Sequence, residues 1–270
     1  MGLRSIVSLV VVLGVGGSLT AMIGHRPGTE VSAGQKPVSA VTRAKPAMAK
    51  RQLNPNYYEA RRAAQVVFIY LNTRYGSPYK LFGLQTVYSA TVEEVGDSGR
   101  KYQLKLSVQE IPTDATEKCS AEVFFQRGGK QSPPQVQVLG LKELLKIKTK
   151  AKEEALYQKY KAKDPLLSVQ YLPDSQGNMD PDMEPFWYLC IAASSFIMLS
   201  ESTENTLYNM AQVASLTQLP TENNQLKFDS LILLHDIVSQ EIPRWKLLFT
   251  WSPAEGVKVL QMEQQPRRNG

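Results

Sequence analysis

The stretch LLHDIVSQEIPRW, residues 233–245, gathers a histidine, a carboxylate and a hydroxyl within five residues: His235, Asp236 and Ser239. Those are the ingredients of a nucleophilic hydrolase, in which an acid orients the base that deprotonates a serine. Spacing argues against that chemistry. The apolar run LILL leads into the stretch and predicts a strand. On a strand His235 and Ser239 share a face but lie about 13 Å apart, beyond hydrogen-bond reach. Asp236 then points to the opposite face from His235. The segment reads instead as a strand and turn with a polar end.

No other set of residues replaces it. The second histidine, His25, lies near the N-terminus. Zinc chemistry needs several clustered ligands, and two histidines with two cysteines do not supply a structural site. No G-x-S-x-G elbow and no glycine-rich phosphate loop stands in the chain. Cys119 falls in a strand-like run, CSAEVFF, and Cys190 in an apolar helical run, WYLCIAASSF. Both fit buried thiols acting as small hydrophobes rather than nucleophiles. No enzyme, metal or cofactor is expected.

The elements that hold the stretch come twice. NPNYYEARRAAQVVFIYLNTRYGSP predicts a helix, with Asn54 as N-cap and Pro55 at the first helical position. Ala60, Ala63, Ala64, Val67, Phe68 and Leu71 make its apolar face, and Gly76 and Pro78 stop it. Four strands follow: KLFGLQTVYSATVEEV, KYQLKLSVQEI, CSAEVFFQR and PQVQVLG. The second half repeats the order. A strongly apolar helix, PDMEPFWYLCIAASSFIMLS, precedes TLYNMAQVASLTQL, LKFDSLILLHDIVSQEI, WKLLFTW and VKVLQM. Each half is therefore a helix on a four-stranded antiparallel sheet, an α+β fold in which sheet face and helix stripe bury each other. The second helix is apolar around much of its circumference, which predicts contact with the first half as well. In both halves a Gln-Glu-Ile step comes just before the third strand.

Between the halves, LKELLKIKTKAKEEALYQKYKAKDPL carries eight lysines from Lys142 to Lys163. It predicts a connecting helix ending before Pro165, with a narrow apolar edge of Leu144, Ile147, Ala151, Ala155 and Leu156. Lys146, Lys148, Lys150 and Lys152 are candidate contacts for a matrix polyanion or mineral; the plainer reading is the solvated side of a linker. The chain starts with one Arg and an apolar run from Ile6 to Val15, which reads as a secretory signal peptide over residues 1–24, with an uncleaved anchor as the alternative. Residues 25–52 hold three prolines and scattered basic residues and predict a flexible basic arm. The remaining divisions are a first subdomain at 53–140, linker and connector at 141–180, a second subdomain at 181–265 and a tail at 266–270. The net charge of +6 lacks the Arg-aromatic surface pattern of a nucleic-acid binder.

Two helix-plus-four-strand halves joined by a Lys-rich helix, carrying KYQLKLSVQEI, CSAEVFF, PDSQGNMDP, STENTLYNM and LLHDIVSQEI in order, closely resemble the latexin family, which includes latexin, the retinoic acid receptor responder protein and eggshell ovocalyxin. The secretory N-terminus leans toward the eggshell member. The resemblance implies two cystatin-like subdomains and a monomeric, secreted, non-enzymatic protein without stable membrane anchoring. It implies inhibition of A/B-type metallocarboxypeptidases through Ser239, Gln240, Glu241 and Ile242. Gln240 would reach into the enzyme and Ile242 would pack. The other role it implies is a structural one in an extracellular, biomineralised matrix. The chain departs from latexin at Pro243 and Arg244. It also lacks the Gln-x-Val-x-Gly hairpin with which cystatins wedge into cysteine proteases.

Overall fold

A computed structural model describes residues 50–128 and 132–266. The predicted signal peptide, most of the basic arm and most of the tail lie outside the described residues.

The first half opens with strand β1 (Arg51–Leu53) and helix α1 (Tyr58–Tyr75), then β2 (Phe82–Glu94), β3 (Gly99–Glu110), β4 (Ala115–Gln126) and β5 (Gln135–Leu139). Helices α2 (Lys142–Lys146) and α3 (Lys150–Lys161) link it to the second half. There β6 (Ser168–Leu172) and α4 (Glu184–Ser200) precede β7 (Tyr208–Glu222), β8 (Gln225–Asp236), β9 (Arg244–Ser252) and β10 (Gly256–Gln265). The two sheets run β1-β2-β3-β4-β5 and β10-β9-β8-β7-β6, with every neighbouring pair antiparallel.

This is the α+β, cystatin-like pair of halves that the sequence predicts, with five strands in each sheet rather than four. The additions are β1 and β6, both at sheet edges. Arg51–Leu53 pairs with Val92–Ala90, so the end of the predicted arm is structured. Both strands are short, with one buried residue each, Leu53 and Leu172, which leaves almost no alternation to read. Asn54 does not cap α1. Its side chain accepts the Asn56 amide at 3.0 Å and its carbonyl the Tyr57 amide, making a turn before the helix. The C-terminal stop is where glycine places it, with Gly76 after Tyr75.

The duplication is tight. Tyr58 and Glu184, Phe82 and Tyr208, and Gly99 and Gln225 open equivalent elements at one constant offset. Register slips fall at the same places, between Leu84 and Thr86 and between Val87 and Ser89 in β2, and between Met210 and Gln212 and between Val213 and Ser215 in β7. Such bulges bend and twist a strand, and here they occur in the long strand that follows each helix.

Helix α4 is apolar all round because it serves two partners. It joins the core of its own sheet through Phe186, Leu189, Ala193 and Ile197, and Ile69 of α1 belongs to the same cluster. The helices approach closely at Gly76, where an added Cβ would lie 2.8 Å from Ala192 Cβ and 2.4 Å from the Asn72 carbonyl. Polar contacts also cross between the halves. Glu204 accepts a 2.8 Å hydrogen bond from the Tyr102 hydroxyl, and the Gln65 amide donates to the Tyr208 carbonyl at 3.1 Å.

The linker is two helices, not one, and it buries only part of the predicted edge: Leu144 and Leu156 are buried and Ile147 packs against the first core. Ala151 and Ala155 are exposed, while Glu153, Leu156, Tyr157 and Tyr160 are buried. The Tyr157 hydroxyl donates to the Asn224 carbonyl at 2.7 Å, and Ser77 donates to Glu153 at 2.6 Å. A tyrosine can bury its ring and still satisfy its hydroxyl, which makes it a core residue that an aliphatic pattern misses.

Candidate functional site

Strand β8 alternates strictly. Leu226, Phe228, Ser230, Ile232, Leu234 and Asp236 face inward and are buried, while Lys227, Asp229, Leu231, Leu233 and His235 face outward. The strand ends at Asp236. Residues 237–242 are all exposed and connect it to β9. The first half makes the equivalent turn with residues 111–114, which correspond to 237–240 at the same offset, and Asp114 and Gln240 share a left-handed φ of +61° and +60°.

The strand reading of Ser239 is therefore corrected: the chain turns before it. The turn brings Ser239 to Asp236, with Ser239 Oγ donating to Asp236 Oδ2 at 2.7 Å. His235 stays on the outer face, opposite Asp236, and pairs across the ladder with Asn209. Among the described residues the structure thus assembles a serine–aspartate pair without the histidine.

Asp236 organises the whole turn. Its carboxylate accepts the Leu207 amide at 2.9 Å and the Val238 amide at 3.2 Å on one oxygen. The other oxygen takes the Ser239 amide at 3.3 Å beside the Ser239 hydroxyl. Burial alone would raise its pKa, but the bonds from Leu207, Ser239 and Val238 hold it below the ordinary carboxylate value. The role is repeated at the equivalent position in the first half. Glu110, fully buried, accepts the Thr113 amide, and Ile111 and Ile237 donate their amides to the equivalent carbonyls of Leu81 and Leu207. The two Gln-Glu-Ile steps are consequently not equivalent: residues 109–111 close a strand and enter the turn, whereas residues 240–242 leave it.

Gln240 sits at the bend with φ +60°, a left-handed conformation that few non-glycine residues adopt. Its amide donates to the Asp236 carbonyl at 2.8 Å, and its side-chain Nε2 donates to the Ile237 carbonyl at 2.6 Å. The return arm extends the ladder beyond the strands, through Asp236 N to the Glu241 carbonyl at 3.0 Å and Leu234 N to the Pro243 carbonyl at 3.0 Å. Pro243 lacks an amide but supplies the carbonyl this ladder uses. Three apolar side chains stand out from the loop, Ile237, Val238 and Ile242, the last 58 % exposed.

The four candidate lysines are all exposed. They do not line one helix face: Lys146 ends α2 and pairs with Glu143 at 2.7 Å, Lys148 lies between the helices, and Lys150 and Lys152 begin α3 on different sides. Lys152 lies 5.9 Å from the centre of the Tyr79 ring. Cys119 and Cys190 are free and buried, burial pushing the first thiol up to about 11 and the second further. Among the described residues no group of three or more His, Cys, Asp or Glu is placed to hold a metal.

Fold and site define a class: two fused helix-and-sheet repeats, each with a buried acid anchoring the turn between its second and third long strands. The chain belongs to the latexin family, whose model, described as Latexin, matches residues 53–269. It is 36% identical to mouse latexin over 217 residues, covering 80% of this chain and 97% of that protein. It is 30% identical to chicken ovocalyxin-32 over 210 residues, covering 77% and 75%. The lean toward the eggshell member came from the N-terminal segment, which precedes the matched residues. Among solved structures, mouse fetuin-B overlaps 82% of this chain and 72% of its own at 11% identity, with a TM-score of 0.26, too loose an overlap for comparing sites.

Proposed function

We propose that this chain is a secreted, non-enzymatic inhibitor of an A/B-type metallocarboxypeptidase, and that it presents residues 237–242 to the enzyme's cleft with Gln240 at the tip. The observation that carries this reading is the anchored loop. An exposed run with three apolar side chains is held from beneath by one buried carboxylate and closed by ladder hydrogen bonds. A loop ordered before binding loses little entropy on docking, so more of its contact energy appears as affinity. Gln240 supports the reading in a specific way. Its side-chain amide bonds only within its own turn, and a single rotamer change would free both a donor and an acceptor for a polar cleft. Ser239 is spent on Asp236, so it acts as part of the mount. Glu241 and Ile242 continue the tip, with Ile242 as its apolar contact.

The test is a titration of the purified chain against a pancreatic-type metallocarboxypeptidase, with Gln240→Ala and Ile242→Ala alongside. Inhibition weakened about tenfold or more by either substitution, with unchanged melting, supports the reading. Absence of inhibition by a folded protein sinks it. Retention on a polyanion column that depends on Lys146, Lys148, Lys150 and Lys152 would then turn the account to the matrix role.

A further inference from the structure

The turn above Asp236 carries a pattern that inhibition does not use. Ser239 is followed two residues on by Glu241, and only three serines in the chain have a glutamate at that spacing: Ser120, Ser202 and Ser239. Such a serine suits an acidophilic serine kinase, whose basic subsite pairs with the acid while its catalytic base takes the hydroxyl proton. The fold separates the three. Ser202 is only 6 % exposed, and its hydroxyl donates to the Met198 carbonyl. Ser120 is exposed but sits within β4, paired with Lys105 on one side and Leu139 on the other. Its backbone cannot enter a kinase cleft without breaking the sheet. Ser239 stands outside the ladder: its amide and hydroxyl both go to the Asp236 side chain, and residues 237–242 are all exposed. The equivalent residue of the first half is Thr113, whose hydroxyl likewise donates to the buried Glu110. There, however, Ala115 stands where the second half has Glu241. Of the two equivalent turns, only the one that presents Gln240 has the acid that completes the pattern.

We propose that Ser239 is a phosphorylation site for an acidophilic serine kinase, and that phosphorylation there releases the loop from its mount. The effect on inhibition rests on the inhibitor reading; the site and the release do not. In the transfer, Ser239 Oγ attacks the γ-phosphorus of ATP. The Oγ–P bond forms, the bond from that phosphorus to the bridging oxygen breaks as ADP leaves, and the hydroxyl proton passes to the kinase's base. Ser239 Oγ then has no proton to give Asp236 Oδ2, which it reaches at 2.7 Å. In its place a phosphate carrying about −1.5 to −2 charges stands against the Asp236 carboxylate, and the like charges repel. That carboxylate also holds the amides of Val238 and Ser239, so pushing the two apart frees the bend. The device is an off switch placed in the mount rather than at the tip.

The full folded chain is incubated with MgATP and a kinase that phosphorylates Ser-x-Glu peptides, and the modified residue is located by peptide mass spectrometry. Phosphate on Ser239 is expected, absent in Ser239→Ala and reduced about tenfold or more in Glu241→Gln, with Ser120 and Ser202 unmodified. No incorporation, incorporation only after denaturation, or incorporation at Ser120 in preference to Ser239 overturns the site. Amide exchange and the carboxypeptidase titration then compare the phosphorylated chain with the same sample after phosphatase treatment. Protection at Val238, Ser239 and Gln240 is expected to fall while that of Phe228 and Phe249 is retained, and inhibition to weaken about tenfold or more. Phosphorylation that leaves loop protection unchanged, or raises it, overturns the switch. If the unmodified chain does not inhibit, the inhibitor reading falls and loop protection alone decides the switch.

Discussion

Replacing Asp236 tests whether one buried carboxylate mounts the loop. Four donors converge on it: the amides of Leu207, Val238 and Ser239 and the hydroxyl of Ser239, at 2.7–3.3 Å. Hydrogen bonds to a charged acceptor are each worth about 1.5–3 kcal/mol. Val238 and Ser239 are exposed, so water replaces most of what they lose. Leu207 is only part exposed and loses more. In Asp236→Asn one oxygen can still take Leu207 and Val238. The amide NH2 then faces the Ser239 N–H, donor against donor, while the Ser239 hydroxyl can reverse and accept. One bond and the charge are lost, and we expect a cost of about 2 kcal/mol. For a body of this size that lowers the melting temperature by about 4–8 °C. Asp236→Ala removes every acceptor and costs more.

Amide exchange gives the local readout. Protection at Val238, Ser239 and Gln240 should fall in both variants, while that of Phe228 and Phe249 in the core follows only the global change. Inhibition should weaken about tenfold, because the loop must then be ordered at the expense of binding. The pH dependence has a fixed sign. The Asp236 pKa is depressed in the folded protein, so its contribution is full above the unfolded carboxylate value of about 3.9 and is lost as pH falls through the lower folded value. The stability difference between wild type and Asp236→Asn should therefore shrink on acidification below about pH 4 and be flat from pH 5 to 7. An Asp236→Ala protein with wild-type melting, loop protection and inhibition would refute the mount.

Further outcomes follow from packing elsewhere. Gly76→Ala should destabilise by about 1–3 kcal/mol, since its Cβ meets Asn72 backbone and Ala192 with no flexible atom to yield; calorimetric or denaturant unfolding checks it. Glu153→Ala leaves the buried Ser77 hydroxyl without its acceptor and should cost about 1–3 kcal/mol, with faster proteolysis around Lys150–Lys161 as the local sign. Cys119 and Cys190 should react with a disulfide reagent only slowly at neutral pH in the folded chain, and fully once denatured, because burial keeps both thiols protonated.

What the sequence showed depended on how many residues carried each signal. Helix α1 and most of the long strands repeat their pattern over several turns or pleats and stand where the pattern put them, while β8 stops at Asp236, short of the end the sequence suggests. Strands β1 and β6 bury one residue each and had no pattern to show. The linker's docked face was hidden by type rather than length: two of its four buried residues are tyrosines and one is Glu153. Alanines 151 and 155 offered a helical edge that the fold leaves in water. The four lysines looked like one basic patch in the sequence, but α-helical rotation and a break between α2 and α3 spread them.

The end of β8 shows how a local turn can resemble a catalytic site. Its polar end stood out because His235, Asp236 and Ser239 resembled catalytic parts. The structure uses two of the three, and for positioning. Asp followed three residues later by Ser is a local turn-forming pair, in which the acid collects the amides and hydroxyl of the next residues. The matching Gln-Glu-Ile steps misled in the same way, since they suggested that the halves align through residues 109–111 and 240–242. The constant offset of helices, strands and bulges sets Glu110 against Asp236 and Asp114 against Gln240 instead, so the turn has the same length in both halves. A duplicated fold leaves its two copies free to diverge where the core does not constrain them, and in this turn they diverge in side chains rather than in length. In both halves the buried acid at its base is retained as the anchor. Above it the first half exposes Ile111, and the second exposes Ile237, Val238 and, on the return arm, Ile242.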